Sequence, residues 1–141
     1  MTEKLLIIDG FNLLSRGYFA TAFNKEPEDL PTNSQRLYMN GIRVFIQKLY
    51  QLIEKHNMSH VAICWDVKRD DTSRRQEYQD YKANRAALPE PLIQQYESLV
   101  FLLTDLGFTQ LTIPPYEADD VIGALTVKWQ QETEGHSYMY S

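Results

Sequence analysis

Four short apolar runs alternate with longer stretches in which apolar residues recur at helical spacing. The apolar runs lie at 4–10, 60–66, 108–113 and 136–140. Each is short and bounded by polar or turn-forming residues, which predicts four buried strands. Helices are predicted between and around them at 11–23, 34–57, 89–106 and 116–134. This alternation predicts an α/β fold in which a mostly parallel sheet carries helices on both faces.

Two stretches do not fit the alternation. Residues 24–33 are polar, contain two prolines and predict a loop. Residues 67–88 are polar, charged and aromatic, without a regular core period. No repeat or linker divides the 141 residues, so residues 1–141 are interpreted as a single domain.

Composition narrows the class of protein. The chain is 43% hydrophobic and 23% charged, as globular proteins are. No apolar run approaches the roughly 20 residues that a membrane helix needs, and no signal peptide is evident, so a cytoplasmic location is expected. The single cysteine, Cys64, lies within an apolar run and is interpreted as a buried hydrophobic residue. Disulfides and thiolate zinc sites are therefore not expected.

The net charge of −5 alone argues against a nucleic-acid partner. However, residues 68–85 contain six of the 14 basic residues and four acids, which leaves this window positive. Tyr78 and Tyr81 lie among these cations, and such interleaving is typical of surfaces that bind single-stranded nucleic acid. The pattern is equally typical of a solvated helix, so charge leaves both interpretations open.

Five carboxylates are expected to meet at one edge of the sheet. Asp9 and Asp66 end the first two strands, and Glu117, Asp119 and Asp120 open the last helix. The carboxyl ends of parallel strands share an edge, and converging carboxylates require cations to neutralise them. Carboxylate oxygens suit Mg²⁺ and Mn²⁺, so a two-ion site for phosphoryl chemistry is predicted. Each acid alone could instead be a turn, capping or helix-dipole residue.

Several motifs resemble the 5′–3′ exonuclease, or flap nuclease, family, which includes the N-terminal domain of bacterial DNA polymerase I and free-standing bacterial enzymes. Residues 7–13 (IIDGFNL) are similar to its first strand and metal ligand, and Trp65-Asp66 to its second acidic position. Residues 74–85 resemble its arch segment, with a Tyr-Lys-x-x-Arg signature, and residues 115–120 (PYEADD) resemble its acidic helix opening. The resemblance implies a PIN-like three-layer sandwich with an arch-like segment at about 67–88.

The resemblance also implies roles for individual residues. Asp9 and Asp66 are expected to be catalytic metal ligands together with Glu117, Asp119 and Asp120. Lys82 and Arg85 are expected to hold and polarise the scissile phosphate, with Arg74 assisting, and Tyr81 to stack on a terminal base. Asn12 either caps the turn after Asp9 or orients metal-bound water or phosphate.

The implied reaction is metal-assisted hydrolysis of DNA phosphodiester bonds in replication and repair, by in-line attack of hydroxide. Mg²⁺ or Mn²⁺ is the expected cofactor, and DNA with 5′ ends or flaps is the expected substrate, with RNA primers as a further candidate. No membrane or obligate protein partner is expected. The family continues into a second acidic cluster and a helix-hairpin-like DNA-binding module. Because the sequence stops at Ser141, we expect an incomplete fold at this end and an impaired or inactive fragment.

Two other functions also fit parts of the sequence. A PIN-type ribonuclease would share the acidic site at about this chain length, but the basic–aromatic insertion disfavours it. A receiver-like signalling module would bind one Mg²⁺ and accept phosphate on an aspartate. That fold favours paired acids at its first strand, whereas here Ile8 precedes the single Asp9.

Overall fold

The computed structural model describes residues 3–66, 88–112, 118–133 and 135–140, apart from the side chains at 119, 131 and 133. The strands are β1 (Lys4–Asp9), β2 (His60–Cys64), β3 (Thr109–Leu111) and β4 (His136–Tyr140). The helices are α1 (Gly10–Ala22), α2 (Asn40–His56), α3 (Glu90–Asp105) and α4 (Ala118–Thr133), with a short 3-10 turn at Pro27–Asp29. The predicted alternation of strands and helices is confirmed over these ranges.

The four strands form one sheet in the order β3-β2-β1-β4, and each neighbouring pair is parallel. In the centre of the sheet, Ile7 of β1 lies level with Ala62 of β2 on one side and Met139 of β4 on the other. The carboxyl ends of β1 and β2 therefore open at the same edge. The predicted α/β fold with a parallel sheet is confirmed.

The two faces of the sheet carry separate hydrophobic cores. Side chains alternate along β1, so Leu6 and Ile8 pack into a large cluster with residues of α1, α2 and α3. Leu5 and Ile7 point the other way, into a smaller cluster with Ala118, Val121 and Ile122 of α4. Three helices thus cover one face and α4 covers the other, which gives the three layers that the sequence predicts.

The prediction of a helix over 34–57 is wrong at its beginning, because α2 starts at Asn40. The Asn33 side-chain oxygen accepts hydrogen bonds from the backbone N–H groups of Gln35 (2.8 Å) and Leu37 (3.1 Å). These bonds stabilise a turn in place of a first helical turn. Arg36 adopts a left-handed φ of 65°, which no α-helix accommodates, and Thr32 and Tyr38 form an isolated bridge.

The beginning of α2 is fixed instead by a residue of another helix. The buried side chain of Gln95 on α3 accepts hydrogen bonds from the N–H groups of Gly41 (2.7 Å) and Ile42 (3.1 Å). Its amide nitrogen donates to Asn40 Oδ1 (2.9 Å) and to the carbonyl oxygen of Pro91 (3.1 Å). Gln95 therefore caps α2 from a distance, because a helix N-terminus leaves N–H groups without partners inside the helix.

The remaining boundaries are close to those predicted. β3 is only three residues long, where a strand over 108–113 was predicted, and residue 113 lies outside the described ranges. The end of β2 lies at Cys64, two residues before the predicted end at Asp66. None of the helices in the described residues is both long enough and apolar enough to cross a membrane.

Candidate metal site at the carboxyl edge of the sheet

Asp9 lies at the junction of β1 and α1. It is the last residue of the strand and the N-cap of the helix, with an extended backbone (φ −78°, ψ 99°). One of its carboxylate oxygens accepts a hydrogen bond from the backbone N–H of Asn12 at 3.4 Å. The interpretation of Asn12 as the capping residue is corrected: the Asp9 side chain provides the cap, and Asn12 donates its backbone N–H.

Asp66 follows β2 by two residues and reaches across to α4. Its Oδ1 accepts a hydrogen bond from the backbone N–H of Ala118 at 2.9 Å. Ala118 is the first residue of α4, so this carboxylate caps a helix that lies 52 residues further along the chain. The contact joins the end of β2 to the acidic helix opening, as convergence at the carboxyl edge requires.

The capping interpretation therefore holds for both strand-end aspartates. It does not compete with metal binding, because an ionised carboxylate has two oxygens and about four lone-pair sites. The bonds from Asn12 N–H to Asp9 and from Ala118 N–H to Asp66 each use one of these sites. The side-chain groups that could bind an ion at this edge are carboxylates. Carboxylate oxygens are the ligands that Mg²⁺ and Mn²⁺ prefer, so the residues present fit such an ion.

The register of β1 and β2 determines where Asp9 and Asp66 lie relative to each other along the sheet edge. Asp9 lies level with Cys64 on the neighbouring strand, and Asp66 follows Cys64 by two residues. Burial raises the pKa of the Cys64 thiol to about 11, and the negative charge of Asp9 contributes to the same shift. The charge of Asp9 on β1 thus affects a residue of β2, near the edge where Asp66 lies.

The third group of acids is only partly described. Asp120 is exposed in the first turn of α4. It follows Ala118 by two residues, roughly 200° around the helix from the buried face that packs on the sheet. Glu117 lies outside the described residues, as does the side chain of Asp119. Among the side chains that are described, no three His, Cys, Asp or Glu residues are grouped as a metal site requires, so the five-carboxylate cluster stays a prediction.

The predicted phosphate-binding residues lie in a part of the chain that is not described. Arg74, Tyr81, Lys82 and Arg85 all fall within 67–87, outside the described ranges, and so does nearly all of the predicted arch-like segment at about 67–88. Asn12 is described, and its exposed side chain lies in the first turn of α1, after Asp9.

Sequence reasoning missed the contacts made by the residues next to the two aspartates. Trp65, which directly precedes Asp66, is buried and only 2% exposed. Sequence reasoning did not find that Gly10 lies against the Trp65 ring, or that Gln110 accepts a hydrogen bond from the indole N–H at 2.8 Å. A polar residue in the middle of a short apolar strand, as Gln110 is, was the available signal.

Comparison with known proteins gives a consistent result. A family model described as the N-terminal, resolvase-like domain of 5′–3′ exonucleases matches residues 4–141. The 5′–3′ exonuclease of Halalkalibacterium halodurans is 57% identical over 97% of this chain and 45% of its own length. The 5′–3′ exonuclease of Bacillus subtilis is 37% identical over 94% of this chain and 43% of its own length. DNA polymerase I of Streptococcus pneumoniae is 33% identical over 92% of this chain and 14% of its own length.

Solved structures agree on the fold. A bacteriophage T5 5′-exonuclease with bound zinc matches with a TM-score of 0.58 at 21% identity, over 97% of this chain and 48% of that one. A bacteriophage T5 flap endonuclease in complex with DNA and metal ions matches with a TM-score of 0.57 at 21% identity, over the same shares of the two chains. At this identity the likeness concerns the fold alone. The chain spans less than half the length of the exonucleases that it matches.

Proposed function

This chain belongs to the family of 5′–3′ exonucleases, and we propose on that premise that the protein is a metal-dependent 5′–3′ exonuclease and 5′-flap endonuclease. Residues 1–141 would form the N-terminal, metal-binding part of its catalytic domain, with an arch-like segment at about 67–88. The observation that carries the proposal is the hydrogen bond from Ala118 N–H to Asp66. It ties one strand-end aspartate to the first turn of the helix that bears the other acids.

The proposed ion site uses carboxylates from three elements. Asp9 of β1 and Asp66 after β2 would hold Mg²⁺ or Mn²⁺ together with Glu117, Asp119 and Asp120 at the beginning of α4. When bound, the ions would offset negative charge on the phosphate and orient the attacking water. The two strand-end aspartates are already oriented by helix N–H groups, which reduces the entropy that ion binding would cost.

The proposed substrate contacts come from cationic and polar side chains. Lys82 and Arg85 would hold the scissile phosphate and stabilise the charge that develops on it, with Arg74 assisting. Tyr81 would stack on a terminal base, and Asn12 would orient phosphate from the first turn of α1. The substrate would be DNA with 5′ ends or flaps, with RNA primers as a further candidate, in replication and repair in the cytoplasm.

Metal binding is the first property to measure, because it depends on the carboxylates of this chain. Mn²⁺ would be titrated by calorimetry into the parent chain and into an Asp119→Asn/Asp120→Asn variant. An Asp29→Asn/Asp105→Asn variant is the matched control, because it makes the same charge change at two exposed aspartates of other elements, the 3-10 turn and the end of α3. We expect the first variant to lose at least about 10-fold in affinity and the control to bind like the parent. Equal binding by all three proteins would contradict the proposed site.

Catalysis is tested in a protein of the full length of the family, with 5′-flap DNA as substrate. We expect cleavage that requires Mg²⁺ or Mn²⁺ and that falls by at least about 100-fold in Lys82→Ala or Arg85→Ala. Cleavage of single-stranded RNA without cleavage of flap DNA would instead support the ribonuclease. Labelling of a single aspartate by acetyl phosphate would support the receiver-like module.

A further inference from the structure

Gly10 lies against the indole ring of Trp65, and each of these two residues is next to one strand-end aspartate in the sequence. Gly10 directly follows Asp9, and Trp65 directly precedes Asp66. A Cβ atom added to Gly10 would lie 2.6 Å from Cζ3, 2.7 Å from Cε3 and 2.8 Å from Cη2 of the indole ring. Real Cβ atoms do not approach other atoms so closely, so only glycine fits at position 10 while the ring stays in place.

The indole ring is held from its other sides. Its Nε1–H donates a hydrogen bond to Gln110 Oε1 at 2.8 Å. Phe45 of α2 stacks on the ring with centroids 6.3 Å apart, and Tyr96 of α3 meets it edge-on at 5.1 Å. The Trp65 backbone N–H is bonded to the carbonyl oxygen of Leu111 at 2.9 Å. A ring fixed on this many sides has little freedom to yield, so an added Cβ would displace the backbone at Gly10.

Asp9 is joined to Gly10 by a peptide bond, and Asp66 is joined to Trp65 in the same way. The position of each aspartate therefore depends on the backbone of its neighbour. We propose that the Gly10–Trp65 contact is a spacer that sets the separation of the Asp9 and Asp66 carboxylates, which makes Trp65 a positioning residue for the metal site. This inference rests on the proposed function. Mg²⁺ demands near-ideal octahedral geometry, so a small error in the spacing of two ligands weakens binding.

The test compares Gly10→Ala, Trp65→Phe and the Gly10→Ala/Trp65→Phe double variant with the parent chain. Phenylalanine is smaller than the indole and makes room for the added methyl group. Gly123→Ala is the matched control, because a Cβ at Gly123 of α4 meets no atom of the other described elements within 4 Å. All proteins are measured under conditions in which circular dichroism shows them folded, which separates positioning from global unfolding.

Two readouts are used, one of which needs no metal. The first is Mn²⁺ affinity by calorimetry. The second is amide hydrogen exchange at Asn12 and Ala118, whose N–H groups are bonded to the Asp9 and Asp66 carboxylates. We expect Gly10→Ala to weaken Mn²⁺ binding by at least about 10-fold and to speed exchange at Asn12. The double variant is expected to regain most of the Mn²⁺ affinity and most of the slow exchange at Asn12. Gly123→Ala is expected to change neither quantity.

The outcomes separate this inference from the proposed function. If the parent binds no Mn²⁺ but Gly10→Ala speeds exchange and the double variant reverses it, the spacer is supported and the metal site fails. If a folded Gly10→Ala variant matches the parent in both readouts, the spacer is wrong.

If Gly10→Ala does not fold, Gln110→Met removes the hydrogen bond of the indole from outside the site. It is then expected to speed exchange at Asn12 at least about threefold, and no change there would overturn the inference.

Discussion

The Asp66 carboxylate accepts a hydrogen bond from the backbone N–H of Ala118, at 2.9 Å and across 52 residues of sequence. Ala118 is itself 1% exposed and packs with Ile7 and Cys64 in the smaller core. The beginning of α4 is therefore held twice, by apolar packing beneath the sheet edge and by a charged acceptor at that edge. A candidate metal ligand is in this way also a structural residue.

Replacing Asp66 should separate these two roles. Asp66→Ala removes the acceptor for Ala118 N–H, and we expect it to lower the free energy of unfolding by about 0.5–2 kcal/mol, as loss of a helix cap does. Asp66→Asn keeps an oxygen in place and should cost less, while it still weakens Mn²⁺ binding. Urea unfolding and amide exchange at Ala118 measure the first effect, and calorimetry measures the second.

Asp105→Ala is the control for that comparison. Asp105 is the last residue of α3, where a negative charge is not favoured by the helix dipole, so its removal should not destabilise the protein. If Asp66→Ala and Asp105→Ala unfold at the same urea concentration as the parent, the Asp66–Ala118 bond contributes nothing measurable to stability.

Gln95 should be among the most sensitive polar positions in the described residues. Gln95→Met keeps the approximate shape but leaves the N–H groups of Gly41 and Ile42 and the Oδ1 of Asn40 without this partner. A buried polar group left unsatisfied costs about 1–3 kcal/mol, so we expect a total loss of at least about 3 kcal/mol in urea unfolding.

The neighbouring residue provides the matched control. Within the described ranges, Gln94 accepts one hydrogen bond, from the N–H of Tyr38 at 2.8 Å, in a part-buried position. Gln94→Met should therefore cost only about 0.5–1.5 kcal/mol. Equal losses in the two variants would show that the buried network around Gln95 adds nothing to an ordinary single hydrogen bond.

These contacts explain which features could be predicted from the sequence. The apolar run from Leu5 to Ile8 and the Asp that follows are local features, so β1 and its carboxyl end were predictable. The beginning of α2 was not, because it depends on Gln95, more than 50 residues away, and on the side-chain bonds of Asn33.

The same distinction applies to the candidate site. The strand-end positions of Asp9 and Asp66 followed from local pattern and parallel topology. The bond between Asp66 and Ala118 and the fit of Gly10 against Trp65 depend on three-dimensional packing that no spacing in the sequence encodes. The roles of Lys82 and Arg85 came from resemblance and stay predictions.

Stability should fall in alkaline solution in a way that depends on Cys64. Burial and the charge of Asp9 raise the thiol pKa from 9.0 to about 11 in the folded chain. Between these values the unfolded state releases this proton while the folded state keeps it, so stability decreases as pH rises from about 9 to 11. Urea unfolding across this range, in buffer with chelator, measures the slope.

Cys64→Ala is the variant that isolates this contribution. It should be less stable than the parent near pH 7, because it removes buried volume, but its stability should decline less steeply between pH 9 and 11. The raised pKa of Tyr18, caused by burial and by Tyr38, adds a decline above about pH 10 that both proteins share. Parallel curves for the two proteins would show that the thiol does not titrate in this way.

Two glycines with open surroundings should respond to alanine in opposite directions. Among the described residues, a Cβ on Gly107 or Gly123 would meet no atom within 4 Å beyond its own chain neighbours and helix backbone, so packing does not distinguish the two positions. Gly107 has φ +85° and follows α3, with its N–H bonded to the carbonyl oxygen of Thr104 at 3.1 Å. Gly123 lies inside α4, where a right-handed helical backbone suits alanine better than glycine.

The backbone conformation alone therefore determines whether alanine raises or lowers the free energy of unfolding at each position. Gly107→Ala forces a side chain into the left-handed region and should lower the free energy of unfolding by about 1–2 kcal/mol. Gly123→Ala should raise it by about 0.5–1 kcal/mol through helix propensity. Urea unfolding of both variants with unchanged m-values gives the measurement. A loss of stability in Gly123→Ala would mean that α4 is not helical at this position, and it would also remove that variant as a control for the Gly10–Trp65 contact.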